Sequence, residues 1–135
     1  MQPHEGEAAT HEALERAAHP ERMDQLSFAA LRAVNVPRCE GAFDHGLMDW
    51  TPLEWAGALC GEAGEAANIT KKMRRGDYMP TVTDQALAHH SLAMELADVV
   101  TYCDLLAARC GIDLGQAVRE KWNQVSEKRD WTTRL

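Results

Sequence analysis

The sequence predicts an all-α domain, a bundle of four to five helices. Aromatic residues make up only 6% and β-branched runs are short, which disfavours a sheet. Ala, Leu, Glu and Met recur at intervals of three and four, the spacing of one helical face. Several places also carry helix-start chemistry. A chain of 135 residues matches the size of one domain, with 45% hydrophobic and 26% charged residues. That usage excludes a disordered or fibrous chain. A net charge of -7, from 14 basic and 21 acidic residues, excludes general attraction to a nucleic-acid backbone or an anionic membrane. An anionic ligand therefore requires a cation or a local basic cluster.

Residues 7–18 hold Leu14 as their single large apolar side chain and stop at His19-Pro20, as a loosely docked terminal helix would. Residues 1–21 thus read as a weakly ordered extension or short helix, and 22–135 as the domain proper. The first domain helix is expected over 22–34, with Met23, Leu26, Ala30, Leu31 and Val34 as its apolar stripe and Val36-Pro37 as its stop. Residues 38–50 read as an ordered loop anchored by Phe43, Leu47, Met48 and Trp50. Thr51, Pro52 and Glu54 then supply an N-cap, a first-turn proline and a capping-box acid for a helix from 52 to about 74. Gly76-Asp77 closes it. After a loop with Pro80, Thr83-Asp84 is expected to cap a second long helix that runs to 110 and stops at Gly111. Asp113 and Gln116 form another capping-box pattern, opening a last helix to about 128.

The four cysteines, Cys39, Cys60, Cys103 and Cys110, show no zinc-ligand spacing. Cys103 and Cys110 are expected to pack as small buried residues of one helix. Residues 1–7 are acidic and polar, and no run approaches the ~18 apolar residues of a membrane span. The expectation is a soluble, cytoplasmic protein with reduced thiols.

The informative constellation is acidic. Glu62 and Glu65 stand three apart among small and apolar residues, which puts both on one helical face. Glu95 and Asp98 repeat the pattern on the second long helix, again with apolar flanks. A short connection lets the two helices pack antiparallel, and four carboxylates then converge in the interior. Their repulsion calls for a divalent cation. Oxygen ligands without sulfur or imidazole suit magnesium, with manganese as a substitute. Glu12-x-x-Glu15, in a polar segment without a partner, reads as surface. A di-iron bundle is disfavoured, since no His stands three after a Glu.

The order Glu62-x-x-Glu65 then Glu95-x-x-Asp98 resembles the signature of MazG-like, all-α nucleoside triphosphate pyrophosphohydrolases, a group related to dCTP pyrophosphatases and dimeric dUTPase-like enzymes. The resemblance extends to Trp50-Thr51-Pro52-Leu53-Glu54-Trp55 before the first pair, to the run from Glu95 through Tyr102 to Cys110, and to Lys121-Trp122-Asn123-Gln124-Val125-Ser126, which is similar to the family's closing Lys-Phe-Asn-x-x-Ser. It covers about residues 49–129. The chain departs from the commonest pattern at Gly61, where many relatives carry a further Glu, and in a long gap between the acidic pairs.

The resemblance implies an enzyme that cleaves (deoxy)nucleoside triphosphates between the α and β phosphorus atoms with magnesium, in house-cleaning or control of dNTP pools, leaning to pyrimidine deoxynucleotides. It also implies a homodimer or homotetramer with a site built partly across subunits. Glu62, Glu65, Glu95 and Asp98 would be the metal ligands and catalytic acids. Lys72, seven after Glu65, is the phosphate candidate among the basic residues ending its helix, where a favourable helix-dipole interaction is the competing reading. Lys121, Asn123 and Arg129 match family positions for phosphate contact. Tyr102 is one turn beyond Asp98, to line the nucleotide site or to pack in the core. Trp50 could stack on a base or anchor the helix start. Alternatives are phosphoribosyl-ATP hydrolysis, or a helical oligomer that binds nucleotide without turnover or acts as a regulator.

Overall fold

Ser27 starts the first helix of the computed structural model, which describes residues 26–77 and 81–135. Its hydroxyl accepts the amide of Ala30 at 3.1 Å and opens α1, Phe28–Ala42. This helix passes through Pro37, where the sequence pattern predicted a stop, and takes up the first part of the expected loop. Proline removes one backbone bond, yet the helix is held from outside by packing at Asn35 and Cys39, 2% and 0% exposed. The predicted stripe fails at both ends: Leu26, 74% exposed, lies before the helix, which starts at Phe28 and not at 22, and Val34, 64% exposed, points away because a partly polar face turns inward.

α2 spans Pro52–Arg75 and begins as expected, with Thr51 and Glu54 each accepting the other's backbone amide. Gly76 ends it at φ 80°, a left-handed conformation that suits glycine. α3 spans Val82–Arg109, and its cap is Thr81, not Thr83. Thr81 stands three before Asp84, so hydroxyl and carboxylate bond each other's amides, whereas Thr83 falls inside the first turn. α3 ends one residue before Cys110, which is exposed and not packed as expected. Gly111 follows at φ 67°. α4 spans Leu114–Lys128 behind the Asp113 cap. Half of its expected capping box forms, since the Gln116 side chain donates to Glu120 at 2.7 Å.

The described residues contain these four helices and no strand. No helix among them is long and apolar enough to cross a membrane. The expected helix over 7–18, its stop at His19-Pro20, Met23, the Glu12/Glu15 pair, the boundary at residue 21 and the Pro80 loop lie outside the described residues.

α2 and α3 pack along their length, and α1 packs against α3. Trp55, Leu105, Cys39 and Leu47 form the buried cluster where these elements meet. The Trp55 indole N–H donates to the Leu47 carbonyl at 3.1 Å, so its single polar group is satisfied in the core. A polar clamp joins α1 to α3. Arg32 Nε donates to the carboxylate of Asp104 at 2.8 Å, and Asn35 Nδ2 donates to the same carboxylate at 3.1 Å. The guanidinium also reaches the carbonyls of Asp104 and Ile112, tying in the turn before α4.

Asp104 is 1% exposed, so removing its cation strands a buried charge. Arg32→Met is expected to cost about 3 kcal/mol in urea unfolding, the lower end for a broken buried pair because Arg32 itself is partly exposed. A loss below about 1 kcal/mol would contradict the clamp.

Candidate metal centre

The antiparallel register of α2 and α3 can be followed through three levels. Trp55 lies 6.2 Å from Tyr102 between ring centroids. Two turns further along α2, Glu62 meets Glu95 and Asp98, and Glu65 lies beside Glu95. Glu62, Glu95 and Asp98 each offer a carboxylate oxygen, all within 4.8 Å of one another. Spacing of three on each helix aims both members of a pair at the seam. All four predicted acids thus meet there, three of them close enough to share one ion.

They meet at an open seam, not in the interior. Glu62 and Glu95 are half-buried while Glu65 and Asp98 are exposed. The apolar flanks do not cover them: Met94, Leu96 and Val100 are themselves exposed, and a side chain added at Gly61 or Gly64 would meet open space. Among the described residues the seam is made by α2 and α3, and the residues flanking it face outward.

Electrostatics still mark the site. The Glu62 carboxyl is pushed above the usual range by loss of solvent, then by the charges of Asp98, Glu65 and Glu95. Glu95 is raised by loss of solvent, by Glu65 and Asp98, and by a proton shared with Glu65. The Tyr102 hydroxyl is raised by burial and by Glu62 and Asp98, while Arg38 pulls it down. Such a cluster of hard oxygen donors, poor in counter-charge, has the chemistry to bind a small divalent cation.

The other predicted residues are spread more widely. Lys72 is half-buried in the last turn of α2. It stands seven residues, about 10 Å of helix, beyond Glu65. Tyr102 packs on the core cluster at the edge of the acids. Trp50 is held by neighbours: His45 stacks on it at 3.9 Å, Trp55 tilts against it at 4.7 Å, and its carbonyl accepts from Arg109 at 2.7 Å. Lys121 bonds Gln124 on its own helix, Asn123 holds the backbone of Leu135, and Arg129 caps α4. α4 packs on α1, so one chain does not bring these three residues to the carboxylates. Arg38, whose charge reaches the Tyr102 hydroxyl, was not legible in the sequence because the pattern ends its helix at Pro37.

Comparison of the chain with protein-family models, with curated proteins and with solved structures finds no match.

The raised carboxyls fix a pH dependence. The native chain holds more protons than the unfolded chain between the ordinary carboxylate range and the raised values, so metal-free stability falls as pH rises through that window. Glu62→Gln is therefore expected to raise the melting temperature at neutral pH without metal, as read by calorimetry. Magnesium should stabilise the unsubstituted protein by about 2.7 kcal/mol at a hundredfold excess over Kd, and this gain should vanish in Glu62→Gln. A variant that melts lower without metal, or gains as much from magnesium, would contradict the assignment.

Proposed function

We propose that this chain is a MazG-like, magnesium-dependent pyrophosphohydrolase that converts (deoxy)nucleoside triphosphates to monophosphate and pyrophosphate. The convergence of Glu62, Glu95 and Asp98 within 4.8 Å, from two antiparallel helices bearing an acidic pair each, carries the reading. The resemblance of residues 49–129 to that family names the reaction, and the acidic cluster supports it as a group of oxygen donors that a metal could use.

Bound magnesium, or manganese in its place, would lower the pKa of a coordinated water and offset charge on phosphate oxygens. Glu62, Glu95 and Asp98 would hold it, with Glu65 completing the set. Their half-open positions leave room for water and a phosphate tail. Glu65, exposed and beside Glu95, would orient or deprotonate the attacking water from the edge of the cluster. Tyr102, with its hydroxyl kept protonated by burial and by the neighbouring acids, would donate a hydrogen bond to the nucleotide.

Assembly fits the same proposal. Trp122, Val125 and Trp131 are 46%, 44% and 63% exposed on and beside α4, apolar side chains of the kind that interfaces cover. A homodimer or homotetramer would cover it, and a second copy would bring Lys121, Asn123 and Arg129 toward carboxylates that their own chain leaves remote. Deoxynucleotides, pyrimidines first, are the proposed substrates in control of dNTP pools.

A panel of ribo- and deoxynucleoside triphosphates with magnesium, read by phosphorus NMR, tests the reading. Monophosphate and pyrophosphate are expected, with kcat falling at least about a hundredfold in Glu62→Gln, the scale of losing transition-state charge stabilisation. Release of orthophosphate, or tight nucleotide binding without turnover, would overturn it.

A further inference from the structure

An acidic cleft that takes a polyphosphate faces a charge problem that its metal solves only in part, because the substrate tail is also anionic. A fixed cation beside the carboxylates would remove the remainder. The register of α1 on α3 locates one. Arg32 bonds Asp104, and Asn35, one turn on, bonds the Thr101 carbonyl as well as Asp104. The helices therefore run antiparallel, each further turn of α1 facing the preceding turn of α3. The next turn of α1 carries Arg38, beside Cys39, whose buried cluster is packed by Tyr102, one turn from Asp98.

Arg38 is not left to wander. Its guanidinium donates to Asn35 Oδ1 at 3.1 Å. That oxygen is free to accept because the amide nitrogen of Asn35 is spent on Thr101 and Asp104. Asn35 is 2% exposed, so a buried amide clamped to α3 holds one edge of an exposed guanidinium. Among the described residues no carboxylate lies within ion-pairing distance of Arg38. Its influence nevertheless reaches the Tyr102 hydroxyl, which Glu62 and Asp98 also surround.

We infer that Arg38, oriented by Asn35, is the anion-binding residue of the acidic site and takes the phosphate end of the substrate across from the metal-holding carboxylates. The inference rests on the proposed polyphosphate reading. Arginine suits the task, since its remaining N–H groups form a fork matched to phosphate oxygens. Asn35 is then a positioning residue, acting through Arg38.

Calorimetric binding of inorganic triphosphate in the presence of magnesium, set beside binding of magnesium alone, tests this without any turnover. Arg38→Ala is expected to weaken triphosphate at least tenfold and to leave magnesium affinity equal or tighter, because a cation has been removed from near the acids. Arg38→Lys should fall between, keeping charge but losing the fork. Asn35→Ala should weaken triphosphate in the unsubstituted background and add nothing to Arg38→Ala, a coupling that a merely structural role would not produce. Triphosphate affinity untouched by Arg38→Ala, a parallel loss of magnesium, or no triphosphate binding at all would overturn the inference. If the protein cleaves no nucleotide yet binds triphosphate through Arg38, hydrolysis falls and the anion site stands.

Discussion

Three carboxylate oxygens held within 4.8 Å of one another repel, and the helices that carry them must be kept together by something else. That constraint organises the fold. The attraction lies two turns away, where Trp55 is fully buried against Leu105 and Cys39 with its indole N–H satisfied by Leu47. Burial of a side chain of that size is worth several kcal/mol, enough to hold α2 against α3 while the acids press apart. The acids recover part of the cost by raising their own affinity for protons. A cation recovers it differently, and the two compete for the same oxygens.

α1 extends this logic. A purely apolar helix could have covered α3, but beside the apolar contact of Cys39 the join is made by Arg32, Asn35 and the buried Asp104. Polar groups so placed are worth little as net stability and much as geometry, because each bond has a direction. They fix how far along α3 the first helix sits, and hence which of its residues faces the carboxylates. The loop from α1 to α2 is fixed in a similar way: Glu40 accepts the amide of Leu47 at 2.8 Å, and His45 stacks on Trp50. Core, clamp and loop all serve to set the seam on which the acids stand.

Much of this was legible in the sequence because its signals are local. Thr51, Pro52 and Glu54 announce α2 through chemistry confined to one turn, and the spacing of Glu62 with Glu65 and of Glu95 with Asp98 fixes a shared face without reference to anything distant. What failed depended on tertiary contacts. The stop assigned at Pro37 ignored the packing of Asn35 and Cys39, which carries the helix past a proline. The apolar stripe fails at Val34 because the true inward face includes Arg32 and Asn35, residues that an apolar count passes over, and at Leu26 because the helix begins only at Phe28. Thr81 and Thr83 are equally good caps by type, and only the reciprocal bond to Asp84 separates them. Apolar flanks alone do not bury the acids, since burial needs a third layer over the seam, and among the described residues the flanking Met94, Leu96 and Val100 are exposed.

The central claim is that Glu62, Glu95 and Asp98 form a cation site on their own helices. Anomalous diffraction from crystals of the full chain equilibrated with manganese, the heavier stand-in for magnesium, addresses it directly. The account predicts a peak between α2 and α3, roughly 2.1 Å from carboxylate oxygens of those three residues, the distance set by a small hard cation. Crystals that bind manganese elsewhere while this seam stays empty at saturating metal would contradict it.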